Sequence, residues 1–365
     1  MFVALRDLGF ARGRFTLIAS VVALITLLVG FLTGLTGGLA GQNVDSVLSW
    51  KADRLAVAEP TGGTDPQLAT STLTQQQVDD YAKASGATVS PVGISQVSAT
   101  HGDVTGGLAL MAGTPGAGTG PGADADTPAP TKGEVVLSED AADALGAATG
   151  DEINVAGQDL RVSAVTGTGH YAHVPVAAVD LSTWRGLATR LGAPHGTAAT
   201  ALLITGKPDK DAVAAGDAAA HTVSLSGLNE LTAIGSFRSE IGSLGLMIGL
   251  LLAISALVIG AFFTVWTLQR KGDIAVLRAL GAPVSALRRD ALGQAGLVLV
   301  IGIALGLAVV VAVGSVLQGS LPFVLSPLTT LGPGLLMAVL GLIGAAAALR
   351  SVTHTDPLTA LGSNR

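Results

Sequence analysis

The chain has 365 residues, of which 49% are apolar and 13% charged, with a formal net charge of −6. A mean hydropathy of +0.59 is too high for an ordinary soluble protein and places the chain in the membrane class. The acidic balance, without a basic stripe, argues against a nucleic-acid partner, and the absence of cysteine excludes disulfides and paired-cysteine sites.

The apolar residues are concentrated in four runs, at residues 15–38, 241–268, 291–317 and 331–349, and about 20 such residues suffice to cross a bilayer as a helix. The first run follows Arg6, Arg12 and Arg14. It is longer than the roughly 7–15 apolar residues of a secretory signal and has no small-residue cleavage pattern, so it reads as a retained helix. Residues 1–41 therefore hold an N-terminal amphipathic segment and the first membrane helix. Gly30, Gly34 and Gly38 repeat a small-xxx-small spacing that lets helices approach closely in lipid.

Residues 42–235 form a hydrophilic, acidic block long enough for one core or two small ones. A helix is expected over residues 74–85 and a strand over 88–97. Residues 114–130, TPGAGTGPGADADTPAP, read as a surface loop with too little apolar content to pack. Ser138 is the expected N-cap of a helix that turns Ala141, Ala142 and Leu145 inward, with Gly146 near its end. Residues 152–155 and 160–165 then flank a turn at 157–159 as a hairpin, and residues 200–205 read as a further strand. The block is a mixed α/β domain. His170 and His173, in GHYAH, fall on opposite faces of a strand, and a surface loop carrying two histidines explains them more simply than a joint site.

The second membrane helix spans residues 236–268, with Gly245 and Gly249 repeating the small-residue spacing. An ionisable group near the hydrocarbon is costly, and Glu240 stands within a turn of the outer membrane surface. Helical spacing places Phe237, Glu240, Leu244 and Met247 on one stripe. Two readings are open: a face that holds a flat hydrophobic ligand carrying a metal, with Glu240 as metal ligand, or an interfacial anchor in the headgroup region.

Residues 269–290 form a basic elbow, QRKGDIAVLRALGAPVSALRRD, in which Ile274, Leu277 and Leu280 recur near helical spacing before a stop at Gly281-Ala282-Pro283. Arg270, Lys271, Arg278, Arg288 and Arg289 assign this side to the cytoplasm. The arginines before the first helix and Arg350 after the fourth agree, so both termini are expected in the cytoplasm and the large domain outside the cell. Residues 291–349 hold the third and fourth helices and 350–365 a cytoplasmic tail. The fold class is thus a membrane protein of four transmembrane α-helices with an inserted extracellular mixed α/β domain.

Three stretches resemble the FtsX/MacB-like permease family of ABC transporters: VVLSEDAADALGAATGDEINVAGQDLRVSAV at 135–165, IAVLRALGAPVSALRRDAL at 274–292 and DPLTAL at 356–361. The resemblance implies a permease homodimer, embedded in lipid, with an ABC ATPase bound in trans. ATP and Mg would belong to that partner, leaving the chain with no cofactor of its own and no catalytic residues. The sequence agrees by omission, since no P-loop is present: Gly206-Lys207 is followed by Pro208. On this reading Ile274, Leu277, Arg278, Leu280, Gly281 and Ala282 couple the ATPase to the membrane helices, while a lipid-anchoring elbow is the simpler alternative. The small outer domain is similar to that of the family's haem-exporting permeases. That likeness implies haem as substrate, with Glu240 presented by two copies and Phe31 and Leu35 of the first helix as walls. Export of a lipid, peptide or drug, and an FtsX-like scaffold acting on an extracellular partner, are the alternatives.

Overall fold

Residues Arg12–Leu48 form a single 37-residue helix, α1, in which an apolar stretch flanked by arginine runs directly into the polar GQNVDSV segment. The computed structural model describes residues 12–50, 52–113, 129–269, 272, 276, 281, 283–317 and 321–353. The chain divides into two compact units, an inserted unit of residues 39–241 and a helical unit made of residues 1–38 and 242–365.

In the inserted unit the elements run β1 (Arg54–Ala58), β2 (Leu73–Thr74), α2 (Gln75–Ser85), β3 (Thr88–His101), β4 (Val104–Ala112) and β5 (Glu134–Leu137). Then follow α3 (Glu139–Leu145), β6 (Glu152–Val155), β7 (Gln158–Val165), β8 (His170–Tyr171), β9 (Val174–Val179) and α4 (Leu181–Arg190). The unit ends with β10 (Thr197–Ala199), β11 (Ala201–Thr205), α5 (Lys210–Ala220), β12 (Thr222–Leu225) and α6 (Leu228–Thr232).

The long strand β3 joins two sheets. Its first residues pair with β11, which continues through β1 to β12. From Gly93 onward it pairs with β4, and Ala99 and Thr100 also pair with β6. The order β3-β4-β9-β5-β7-β6 therefore returns to β3 and closes a six-stranded ring, in which β4–β9 and β5–β7 are parallel. Closure removes the free edges that an open sheet would expose. Leu108, Leu110, Val135, Leu137, Ile153, Leu160, Val162 and Trp184 fill one core. Ala109, Met111 and Val176 point to the other face, where Val44, Val47 and Trp50 from the end of α1 and Ile234 complete a second core. In β11, Leu203 belongs to that second core and Leu202 and Ile204 to a third, beneath Val78 and Tyr81 of α2. A strand buried on both faces has no polar alternation, which is why ALLI reads as a continuous apolar run. Each such fully buried side chain contributes about 1.5–3 kcal/mol.

Local chemistry agrees with these elements. Thr74 and Gln77 form a reciprocal capping box on α2, and Gly86 ends that helix in the left-handed region. Ser138 accepts from the Ala141 N–H at 3.2 Å and caps α3, whose Ala141, Ala142 and Leu145 are buried as expected. The β6–β7 hairpin differs in its turn. Val155 pairs with Gln158, so the turn is Ala156-Gly157, both with positive φ, rather than residues 157–159. Two-residue turns of this kind match the strand twist. Gly93 is required because a Cβ there would overlap the Trp184 ring.

The helical unit comprises α1 up to Gly38, the part of α7 (Gly235–Gln269) from Gly242, α8 (Val284–Leu317) and α9 (Pro327–Thr353). Among the described residues, these four helices are long and apolar enough to cross a membrane. Val22 and Val29 of α1, Ile259 and Phe263 of α7, Val298 and Leu299 of α8 and Met337 of α9 form its centre. Lipid is as apolar as these side chains, so association rests on close packing. Small residues supply it. A Cβ on Gly302 would come within 2.8 Å of Val22, and one on Gly306 within 2.6 Å of the Ala23 carbonyl. Buried hydroxyls are satisfied within their own helices, as in Thr26→Val22 at 2.8 Å and Thr267→Phe263 at 2.6 Å.

Between α8 and α9, residues 321–326 cross α1. The Val324 N–H donates to the Gly34 carbonyl at 3.1 Å, and Phe323 seats its ring between Gly34 and Gly314, 5.0 Å from the Phe31 ring. Gly38 lies directly under the Pro322 carbonyl. At the other end, Gly281 adopts φ 90° and α8 starts at Val284, directly after Pro283, so Arg288 and Arg289 lie in the opening turns of that helix.

Candidate functional site

Glu240 sits in the second turn of α7, at the edge of the inserted unit, and three segments of that unit converge on it. The end of α1 contributes Asn43, the start of α7 contributes Ser236, and the β8–β9 hairpin contributes His173. Glu240 Oε1 lies 3.0 Å from His173 Nε2, and the two side chains are 30% and 34% exposed, so the carboxylate is still reachable from outside. Asn43 is wholly buried. Its Nδ2 donates to Glu240 Oε2 and lies 2.9 Å from His173 Nε2, while its Oδ1 accepts from Ser236 Oγ at 2.5 Å. A buried amide with this many partners is geometrically fixed.

The hairpin that delivers His173 is unusual. Tyr171 pairs with Val174, leaving Ala172 and His173 as a two-residue turn with φ 48° and 68°. Non-glycine residues in the left-handed region cost about 1–2 kcal/mol each. The turn is held there by two backbone bonds to α1, from the Ala172 N–H to the Asn43 carbonyl at 3.1 Å and from the His173 N–H to the Gln42 carbonyl at 3.0 Å. Below it, Tyr171 is buried, and burial pushes its phenol up to about 12.

The two histidines do not share a site. His170 Nε2 lies 3.7 Å from Asp140 Oδ2, whereas His173 meets Glu240. The absence of a joint site is as expected, and His173 does lie in a hairpin turn, while His170 lies in the short strand β8. The contact of His173 with Glu240 is one that spacing arguments missed. The signal available was Asn43, an amide placed just beyond the apolar run of α1, opposite a carboxylate at the matching end of α7.

Of the stripe expected with Glu240, Phe237 packs on the second core of the inserted unit. Leu244 is half-buried and Met247 is 50% exposed, both on the membrane stretch of α7. Arg238 turns away and pairs with Asp65 at 2.5 Å. Phe31 stacks on Phe323 within the helical unit, and Leu35 is half-buried there. The small-residue positions divide in two. Gly30 meets Val310, and Gly34 and Gly38 meet the 321–326 crossing, whereas a Cβ on Gly242, Gly245 or Gly249 would meet nothing within 4 Å. Of the elbow positions, Gly281 is described, while Ile274, Leu277, Arg278, Leu280 and Ala282 lie outside the described residues. Among the described residues no group of three or more His, Asp or Glu is placed to hold a metal ion.

Residues 17–221 match the MacB-like periplasmic core domain, and residues 245–357 match the FtsX-like permease C-terminal domain. The chain is 24% identical to a putative hemin transport system permease protein HrtB of Staphylococcus haemolyticus, over 99% of each chain. It is 29% identical to the HrtB of Staphylococcus epidermidis over 132 residues, which are 36% of this chain and 38% of that protein. Among solved structures it is similar to the periplasmic region of MacB from Actinobacillus actinomycetemcomitans, with 13% identity, 50% of this chain and 92% of that chain covered, and a TM-score of 0.35. With four helices fit to span a membrane around an inserted α/β unit, and both family domains matched in order, the chain belongs to the FtsX/MacB-like family of ABC transporter permeases.

Proposed function

We propose that this chain is the membrane subunit of an ATP-driven exporter that moves haem out of the bilayer. The observation that carries the reading is Glu240, a partly exposed carboxylate at the outer end of α7, on the same continuous helix as the exposed thioether of Met247. A carboxylate within a turn of the membrane surface, next to a long apolar stretch, is costly and often kept for function. Haem offers it an iron and offers the apolar helix a flat macrocycle. The full-length similarity to proteins described as hemin transport permeases supports the same substrate. Carboxylate is a weaker partner for haem iron than the His, Met, Cys or Tyr found in resident haem proteins, which suits a site that must release what it binds.

Two copies acting together would present two Glu240 residues. The face of α7 bearing Gly242, Gly245 and Gly249 is open in one chain, and small residues are the usual means of close helix approach in lipid. Energy enters from an ABC ATPase in trans, with ATP and Mg held on that subunit and the force applied at the elbow around Gly281. The arginines before the first helix, the basic elbow and Arg350 after the fourth support a topology with both termini in the cytoplasm and the inserted unit outside the cell membrane.

Haem titration of the purified full-length protein in nanodiscs, followed by its visible absorbance, tests the reading. Glu240→Gln keeps the shape and removes the charge, and should weaken binding by about tenfold or more. Unchanged haem affinity in that variant would remove Glu240 from the site.

A further inference from the structure

The same carboxylate that the substrate must reach is already engaged by the inserted unit. His173 Nε2 stands 3.0 Å from Glu240 Oε1, and Asn43 Nδ2 donates to Oε2. Both oxygens are therefore contacted. Asn43 Nδ2, which can only donate, also lies 2.9 Å from Nε2, so the imidazole stands where a donor and a carboxylate meet. With hydrogen on Nε2 it donates to Oε1 beside the Asn43 bond to Oε2; without it, Nε2 accepts from Asn43 and the ring covers Oε1.

We infer that His173 and Asn43 form a latch that competes with the substrate for the Glu240 carboxylate, so that an iron porphyrin gains its ligand only by displacing the hairpin tip. This rests on the assignment of Glu240 as the substrate ligand and adds the group that controls access to it. The latch sits where a control element is useful. Its hairpin is bonded through the Ala172 and His173 amides to the carbonyls of Asn43 and Gln42 on α1, while its imidazole reaches α7. Any change in the spacing of those two helix ends within the inserted unit alters the fit of His173 on Glu240. The turn is poised as well. Ala172 and His173 both hold left-handed backbone, so the conformation is maintained by these contacts rather than by the turn sequence. His173 is a positioning residue, since it acts on the substrate only through Glu240.

The test is haem affinity in the full-length protein in nanodiscs, comparing His173→Leu, His173→Gly and His173→Gln with the parent and with Glu240→Gln. Loss of the His173 contact removes one of the groups held against the carboxylate, so His173→Leu and His173→Gly should bind haem about tenfold more tightly. Glycine accepts positive φ freely, which keeps the hairpin folded in that variant. His173→Gln retains a side-chain N–H donor and should return affinity to near that of the parent. The His173→Gly/Glu240→Gln double variant should bind as weakly as Glu240→Gln alone. A residue that only supports the fold would weaken binding when removed, so the sign decides. If His173→Leu and His173→Gly bind haem no more tightly than the parent while Glu240→Gln still loses it, the latch is refuted and the ligand assignment stands. If Glu240→Gln binds haem as the parent does, the ligand assignment fails and the competition with it.

Discussion

Replacing Gly38 by alanine adds a single methyl group where the chain has no space for it. A Cβ there would overlap the Pro322 carbonyl and come within 2.8 Å of the Phe323 nitrogen. Both are backbone atoms that cannot rotate aside. Residues 321–326 must therefore lift off α1, which breaks the 3.1 Å bond from the Val324 N–H to the Gly34 carbonyl and withdraws Phe323 from Phe31. In lipid, apolar burial contributes little to helix association, so the loss is the hydrogen bond, about 0.6–1.7 kcal/mol, plus the ring pair, about 0.5–1.5 kcal/mol. We expect a net cost of about 1–3 kcal/mol. Gly293→Ala on α8 is the matched control. Its methyl meets open space, and alanine favours the helix over glycine by up to about 1 kcal/mol. Unfolding in mixed micelles of rising SDS fraction, followed by far-ultraviolet circular dichroism, measures both. Gly38→Ala unfolding at the same SDS fraction as Gly293→Ala would refute the crossing as a packed contact.

Tyr171 should titrate only near pH 12, because burial disfavours its phenolate. The folded value lies above the ordinary value near 10, so its contribution to stability is complete below about pH 10 and is lost as pH rises through about 12. An alkaline absorbance titration that shows two tyrosinates forming at pH 10 would refute this. At the elbow, Leu277→Asp or Leu280→Asp should abolish haem export from proteoliposomes containing the ATPase while leaving haem binding intact, and normal export in both variants would reduce the elbow to a lipid anchor.

The four membrane helices were legible because about 20 uninterrupted apolar residues have few other solutions. The capped helix α3 was legible too, since Ser138 and Gly146 are local signals that tertiary contacts did not override. The closed ring was not. It depends on Ala99 and Thr100 of β3 finding Val155 and Asn154 of β6, a pairing over more than fifty residues that no local pattern encodes. Strands such as β11, buried on both faces, offered no alternation to read. Glu240 stood out because its charge is costly where it lies. The two residues that hold it did not, because His173 reaches it only through a left-handed turn at Ala172 that the residue types disfavour, and Asn43 is 197 positions away in the chain.

The Ser236 to Asn43 hydrogen bond, 2.5 Å long, ties residues 193 positions apart. Closing a loop of that length costs about 5 kcal/mol of chain entropy by the usual logarithmic dependence. With its two ends fastened to each other, the inserted unit has the geometry of a cassette whose entry and exit lie side by side. Insertions are tolerated best where the termini of the guest meet in this way. Residues 39–241 are accordingly a unit whose entry and exit are fastened together, with Asn43, His173, Ser236 and Glu240 all inside it.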